Sequence, residues 1–92
     1  MKVTFFATLR QIVGQKVVDF DLERDASVQG LLDEMLRRYP GLQIELINEN
    51  GGLFDHVHIF VNGRDSSFLA NGMQTILNVN DNVGIFPAVG GG

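Results

Sequence analysis

Few residues in this chain are of types that invite chemistry. The sequence closes on Gly90, Gly91 and Gly92 after the apolar run Ile85-Phe86-Pro87-Ala88-Val89. Glycine loses the most backbone freedom on ordering and has no side chain to pack, so a terminal run of it adds nothing to a core. Such a run is either a loose end or the working part of the molecule. His56 and His58 flank Val57 on a strand-like stretch, a spacing that can hold a metal ion. With no cysteine in the chain and only Asp55 close by, exposed polar positions on a strand are the simpler reading, and no metal is expected. Asn50-Gly51-Gly52 lacks the Lys-Ser/Thr pair and the following helix that a phosphate-cradling loop needs. Asp19, Asp21, Glu23 and Asp25 are spaced as the solvated side of an alternating segment rather than as paired catalytic carboxylates. Two neighbouring histidines give no basis for a Ser-His-Asp triad.

Composition narrows the field further. A chain of 92 residues is one domain with one modest core. Its formal charge of −4 and its seven scattered Lys and Arg residues, of which only Arg37-Arg38 are adjacent, argue against nucleic acid as a partner, because phosphate binding needs clustered cations. A mildly acidic surface suits solubility, or a basic protein partner. The absence of cysteine removes disulfides, thiolate metal sites and thiol nucleophiles together. The apolar run near the N-terminus is too short for a signal peptide, and no stretch approaches the roughly 20 apolar residues of a membrane span. A cytoplasmic protein without a membrane partner is expected.

The elements that must carry any site follow from periodicity. Lys2–Ala7 is short, β-branched and aromatic, hence a strand. After a turn at Gly14-Gln15, Val18, Phe20 and Leu22 alternate with Asp19 and Asp21, the mark of a half-buried strand. Val28, Leu31, Leu32, Met35, Leu36 and Tyr39 recur at helical spacing. Ser27 is suited to the N-cap, Arg37 and Arg38 to the last turn, and Pro40-Gly41 to the stop. Leu42, Leu46 and Ile47 fit one further helical turn, followed by a loop over residues 48–52. His56–Gly63 reads as a strand with Val57, Ile59 and Val61 inward, closed by the turn signal Asn62-Gly63. Residues 67–77 are irregular, with Phe68, Leu69, Ile76 and Leu77 as anchors. Residues 82–89 form the last strand, closed by Pro87. A sheet with one amphipathic helix on one face gives a two-layer α+β domain, and the other face of the sheet must meet solvent or a partner.

Three blocks carry a resemblance. The opening KVTFFATLRQIVG, the middle FVNG followed by Arg64-Asp65, and the ending NDNVGIFPAVGGG resemble the MoaD/ThiS group of ubiquitin-like sulfur carriers, and most of all its molybdopterin synthase small subunits. The match spans almost the whole chain and is weakest over residues 42–55. It departs in having Asn80-Asp81-Asn82 where the family has Asp-Gly-Asp, Ala88 in place of a second proline, and a third terminal glycine. The resemblance implies a β-grasp fold: a mixed sheet of four to five strands with one main helix on one face, over residues 1–89, with a flexible glycine tail over 90–92.

It also implies a use for the tail. In this family the C-terminal carboxylate is adenylated by a ubiquitin-activating-like enzyme that uses ATP, and sulfur then displaces AMP to leave a thiocarboxylate. Gly92 is the expected point of attachment, or Gly91 if the chain is trimmed. The chain itself is expected to bind no cofactor. The residues suit threading into a narrow nucleotide channel: Gly90 to Gly92 have no Cβ to clash, and Ala88–Gly92 fully extended span about 17 Å. Pro87 fixes φ at the root of the tail. Molybdopterin synthesis, with the large synthase subunit as a partner that supplies the catalytic groups, is the function most directly implied. Conjugation to lysines, or sulfur delivery to tRNA or thiamin, shares the activation step. Phe6, Phe60 and Phe86 alternate with the core candidates Phe5, Ile59 and Ile85, which puts them on the face away from the helix; the β-grasp fold that the resemblance implies sets their three strands side by side, so the rings should line up as an exposed apolar patch for partners. Arg10 is placed to supply a salt bridge at its rim.

Overall fold

Val3 and Phe5 alternate with Lys2 and Thr4, and Val83 and Ile85 with Asn82 and Gly84. This period-two pattern builds the centre of the sheet in the computed structural model, which describes residues 1–87. Expectations on Ala88–Gly92, including a boundary after residue 89 and the roles of Gly90, Gly91 and Gly92, lie outside the described residues. The strands are β1 (Lys2–Phe5), β2 (Val17–Asp19), β3 (His58–Val61), β4 (Arg64–Asp65) and β5 (Asn82–Phe86). They form one sheet in the order β2-β1-β5-β3-β4. β1 and β5 pair in parallel, with Val3 opposite Val83 and Phe5 opposite Ile85. The β1–β2, β3–β5 and β3–β4 pairs are antiparallel.

The inner face of the sheet carries Val3, Phe5, Val18, Ile59, Val61, Val83 and Ile85. All are buried in one cluster with Val28, Leu31, Leu32 and Met35 of helix α2, Val28–Arg38. The α2 helix begins as its sequence predicts: Ser27 Oγ accepts a hydrogen bond from Gly30 N at 3.0 Å, satisfying one of the orphan amides of the first turn. Its far end is tied to β2 by Arg38, which donates to Asp19 O at 3.0 Å. The same guanidinium lies 5.1 Å from the ring centre of Phe20 and 5.5 Å from that of Tyr39, a cation–π arrangement. The expected further helical turn is present as α3, Leu42–Leu46, with Leu42 and Leu46 buried.

Two expectations need correction. The connection between the first two strands is not a plain loop, since residues Thr8–Val13 form the short helix α1. Leu9 and Val13, one turn apart, are both buried and hold it against the core. The strand before it ends at Phe5, and Ala7 adopts φ 52° and ψ −129°, a conformation that costs a residue with a Cβ energy. The second correction concerns residues 67–77. Phe68 is 79% exposed and Ile76 49% exposed; neither anchors the segment. A 3-10 turn over Ser66–Phe68 has three residues per turn, which aligns Ser66 with Leu69 and sends Phe68 outward. Leu77 is buried and its N–H donates to Ala26 O at 2.8 Å, so the alternating neighbour Ile76 turns away. Leu69, Met73 and Leu77 hold the segment instead.

Candidate functional site

The outer face of the sheet is where the predicted site residues converge. The register sets Thr4 and Phe60 on either side of Gly84, His58 opposite Phe86, and Phe60 opposite Asp65. Phe6 continues β1 on the same side. Phe6 and Phe86 stack with ring centres 4.0 Å apart and planes 8° from parallel. Phe60 meets Phe86 edge to face at 5.0 Å and 78°. The rings therefore line up as expected. They half-bury one another rather than standing free, so the patch is a preformed aromatic platform. It borders a shallow groove of about 360 Å³ lined by Thr4, Phe6, Phe60, Gly84 and Phe86.

Gly84 makes the platform possible. A Cβ placed there would lie 3.1 Å from Cε2 of Phe6, closer than carbon atoms normally approach without something giving way. The missing side chain lets the Phe6 ring lie over the backbone of β5 and reach Phe86.

A second set of bonds fixes β5 beside β3. Asn62 Nδ2 donates to Asp81 Oδ1 at 2.9 Å, and Asn82 N donates to Asn62 Oδ1 at 2.9 Å. Asn62 and Gly63 both have positive φ, 52° and 83°, as the tight turn at this dipeptide requires. The Asn80-Asp81-Asn82 departure from the family pattern is thus part of a hydrogen-bonded clamp at the start of the last strand. The far end of that strand runs into Pro87, which is buried and so is fixed in place at the root of the tail.

Two features of this face were not foreseen: the bonding of His58 and the placement of Phe68. His58 Nδ1 is 2.8 Å from Asp65 Oδ2, and Asp65 Oδ1 accepts from Ser67 N and Ser67 Oγ, each at 2.9 Å. Burial alone would raise the Asp65 carboxyl. The two Ser67 bonds and His58 outweigh it and hold the group below the ordinary value of 3.8, so it is a carboxylate at neutral pH. The only sequence signal was the hairpin at Asn62-Gly63, which brings β4 against β3. The second feature is Phe68, exposed beside Phe60 and Arg64 across a neighbouring cleft.

The other candidates are dispersed. His56 lies outside β3 and stacks on Phe54, with ring centres 5.0 Å apart, so the two imidazoles do not share a strand. Among the described residues no group of three or more His, Asp or Glu is placed to hold a metal ion. Asn48 organises the Asn50–Gly52 loop by accepting from Asn50 N at 2.9 Å and Gly52 N at 3.1 Å, an Asx turn. Asp21, Glu23 and Asp25 line a separate cleft of about 430 Å³ beside Leu77. Arg10 sits on α1 with its side chain exposed and makes no ion pair among the described residues. No described helix is long and apolar enough to cross a membrane.

This architecture and its residues have clear relatives. Small archaeal modifier protein 3 of Haloferax volcanii is 40% identical over 92 residues, covering 100% of this chain and 98% of that protein. The crystal structure of small archaeal modifier protein 1 from Haloferax volcanii superposes with a TM-score of 0.85 at 28% identity, covering 99% of this chain and 97% of that one. A Pyrococcus furiosus structure assigned as molybdopterin converting factor, subunit 1, gives a TM-score of 0.75 at 30% identity, covering 96% and 95%. The fold is the ubiquitin-like β-grasp. The ThiS family matches residues 3–92, and the chain belongs to it, a family of ubiquitin-like sulfur carriers.

Proposed function

We propose that this protein is a carrier whose C-terminal glycine is activated by a nucleotide-using partner and then passed to a nucleophile. The observation that carries the reading is the placement of Phe86. It is the outward ring at the end of the central strand, immediately before the buried Pro87, so a partner that covers the aromatic platform also receives the chain that follows. In the activation step the Gly92 carboxylate attacks the α-phosphorus of ATP. The acyl-adenylate forms and pyrophosphate leaves. A carboxylate is a poor electrophile, and AMP gives it a leaving group. Attack by sulfide expels AMP and leaves a thiocarboxylate, whereas attack by a lysine amine expels AMP and a proton and leaves an isopeptide. Apart from Gly92, the chain's own residues take no part in this bond-making. They dock, aim the tail and present glycines narrow enough for a channel.

The fate of the activated glycine divides into two readings. Conjugation to lysines is favoured by the 40% identity to a small archaeal modifier protein. Sulfur delivery in molybdopterin synthesis, with a large synthase subunit as acceptor, is favoured by the likeness to the Pyrococcus furiosus converting factor subunit. One experiment tests the shared step and separates the fates. The protein is incubated with ATP, its activating enzyme and a sulfide source, then weighed intact. Exchange of one oxygen for sulfur supports the carrier, and high-mass conjugates on a denaturing blot support the modifier. An unchanged mass without conjugates would sink both.

A further inference from the structure

His58, Asp65 and Ser67 form a chain of hydrogen bonds on the docking face, and the proposed transfer does not use it. Asp65 is spent on both oxygens. Oδ1 takes Ser67 N and Ser67 Oγ at 2.9 Å each, and Oδ2 takes His58 Nδ1 at 2.8 Å. A carboxylate only accepts, so Nδ1 must carry the proton. In the neutral imidazole the remaining nitrogen, Nε2, is then a bare acceptor. It takes no hydrogen bond among the described residues, and the side chain is 48% exposed. Its position is equally defined. His58 faces Phe86 across the β3–β5 ladder and lies 6.2 Å from the Phe60 ring. A hydrogen-bonded carboxylate that fixes a histidine tautomer sets which ring nitrogen is offered outward. Rigidly held polar groups beside an aromatic anchor give an interface its selectivity.

We infer that His58 is a specificity-determining residue for docking: its Nε2 is an acceptor oriented by Asp65 and Ser67 to receive a hydrogen bond from the activating enzyme, at the root of the tail. The inference rests on the reading that this enzyme covers the aromatic platform. The occupant follows from where the described strand ends. Phe86 is the last residue of the central strand and His58 is its cross-strand neighbour, so a partner that engages the chain beyond Pro87 from the aromatic platform has His58 beside it. A partner lacking a donor there buries an unpaired nitrogen and is rejected.

The test inverts the nitrogen without changing the shape of the site. In Asp65→Asn the amide oxygen keeps the two Ser67 bonds, so the amide nitrogen faces His58 and donates to Nδ1. The imidazole must then carry its proton on Nε2, turning the outward acceptor into a donor. Imidazole nitrogen chemical shifts of the full chain report the tautomer directly and verify that the inversion has taken place. The concentration of chain giving half-maximal adenylation should rise about tenfold or more for Asp65→Asn and for His58→Phe, with little change in maximal rate. His58→Gln, whose amide oxygen restores an acceptor, should recover most of the loss. Wild-type half-saturation for His58→Phe and Asp65→Asn would overturn the inference while leaving the carrier reading intact. A wild-type chain that is never adenylated would overturn the carrier reading, and this inference with it.

Discussion

Replacing Phe86 with alanine separates a docking ring from a core ring, and its size can be worked from the platform geometry. In the free domain Phe86 holds two aromatic contacts, the stack on Phe6 at 4.0 Å and the edge contact with Phe60 at 5.0 Å. Each such pair is worth about 0.5–1.5 kcal/mol, so the loss should total about 1–3 kcal/mol. The ring is only half-buried, so no closed cavity forms. Phe5→Ala is the reference. That side chain is fully buried and should cost about 3–5 kcal/mol. Docking should suffer separately, because covering the exposed half of the ring contributes about half of what full burial of a Phe does, about 0.8–1.5 kcal/mol, or roughly fourfold to tenfold in affinity. Urea unfolding of both variants gives the first quantity, and calorimetric titration with the activating enzyme gives the second. Combining Phe86→Ala with Phe6→Ala should show a coupling of about 0.5–1.5 kcal/mol in stability. A Phe86→Ala loss equal to that of Phe5→Ala, with docking unchanged, would refute the platform and place the partner surface elsewhere.

Three further outcomes are expected. Gly84→Ala should leave stability within about 1 kcal/mol of wild type, because replacing a strand glycine contributes roughly 0.5–1 kcal/mol against the cost of displacing Phe6. The ring shifts of Phe6 and Phe86 should move and partner affinity should fall; unchanged ring shifts would show that the close contact does not govern the stack. Ala7→Gly should raise the melting temperature, since relief of about 1–3 kcal/mol of backbone strain exceeds the cost of roughly 0.5–1 kcal/mol for adding a glycine; a lowered melting temperature would count against the strained backbone at Ala7. Asp65 has its pKa lowered in the folded chain, so the stability it contributes is present above 3.8, the ordinary value of the group, and is lost as pH falls below it. Asp65→Asn should flatten acid unfolding over that range, and an unaltered profile would mean the carboxylate's partners are not held in solution.

Residues whose burial follows a period were legible in the sequence. The α2 stripe, the Ser27 cap, the alternation of Phe5 with Phe6 and of Ile85 with Phe86, and the Asn62-Gly63 turn all rest on local rules that tertiary structure had no reason to override. Helix α1 was hidden because six residues with only two buried positions give no periodic signal, and because nothing in an alanine announces positive φ at Ala7. Phe68 and Ile76 were misplaced for a related reason: in an irregular segment an apolar side chain says nothing about which way the backbone turns. Phe6, Phe60 and Phe86 could be assigned to one face, but their mutual stacking depends on Gly84, whose role is visible only once β1 and β5 are paired. The His58–Asp65–Ser67 chain required the β3–β4 register and had no sequence signature of its own.

The parallel pairing of β1 with β5 has a mechanical consequence. The strand that leads into the tail is the middle one of five, with β1 laddered along one side and β3 along the other. A pull on the residues beyond Pro87 acts along the axis of β5, across bonds that run sideways to its neighbours. The load is shared by both ladders at once and must shear them together, instead of peeling one bond at a time from an edge. Under the proposed function, an enzyme that drew the residues beyond Pro87 into a channel would meet a firm shoulder at the end of the strand, and the domain would act as a stopper: the thread would enter and the knot stay outside.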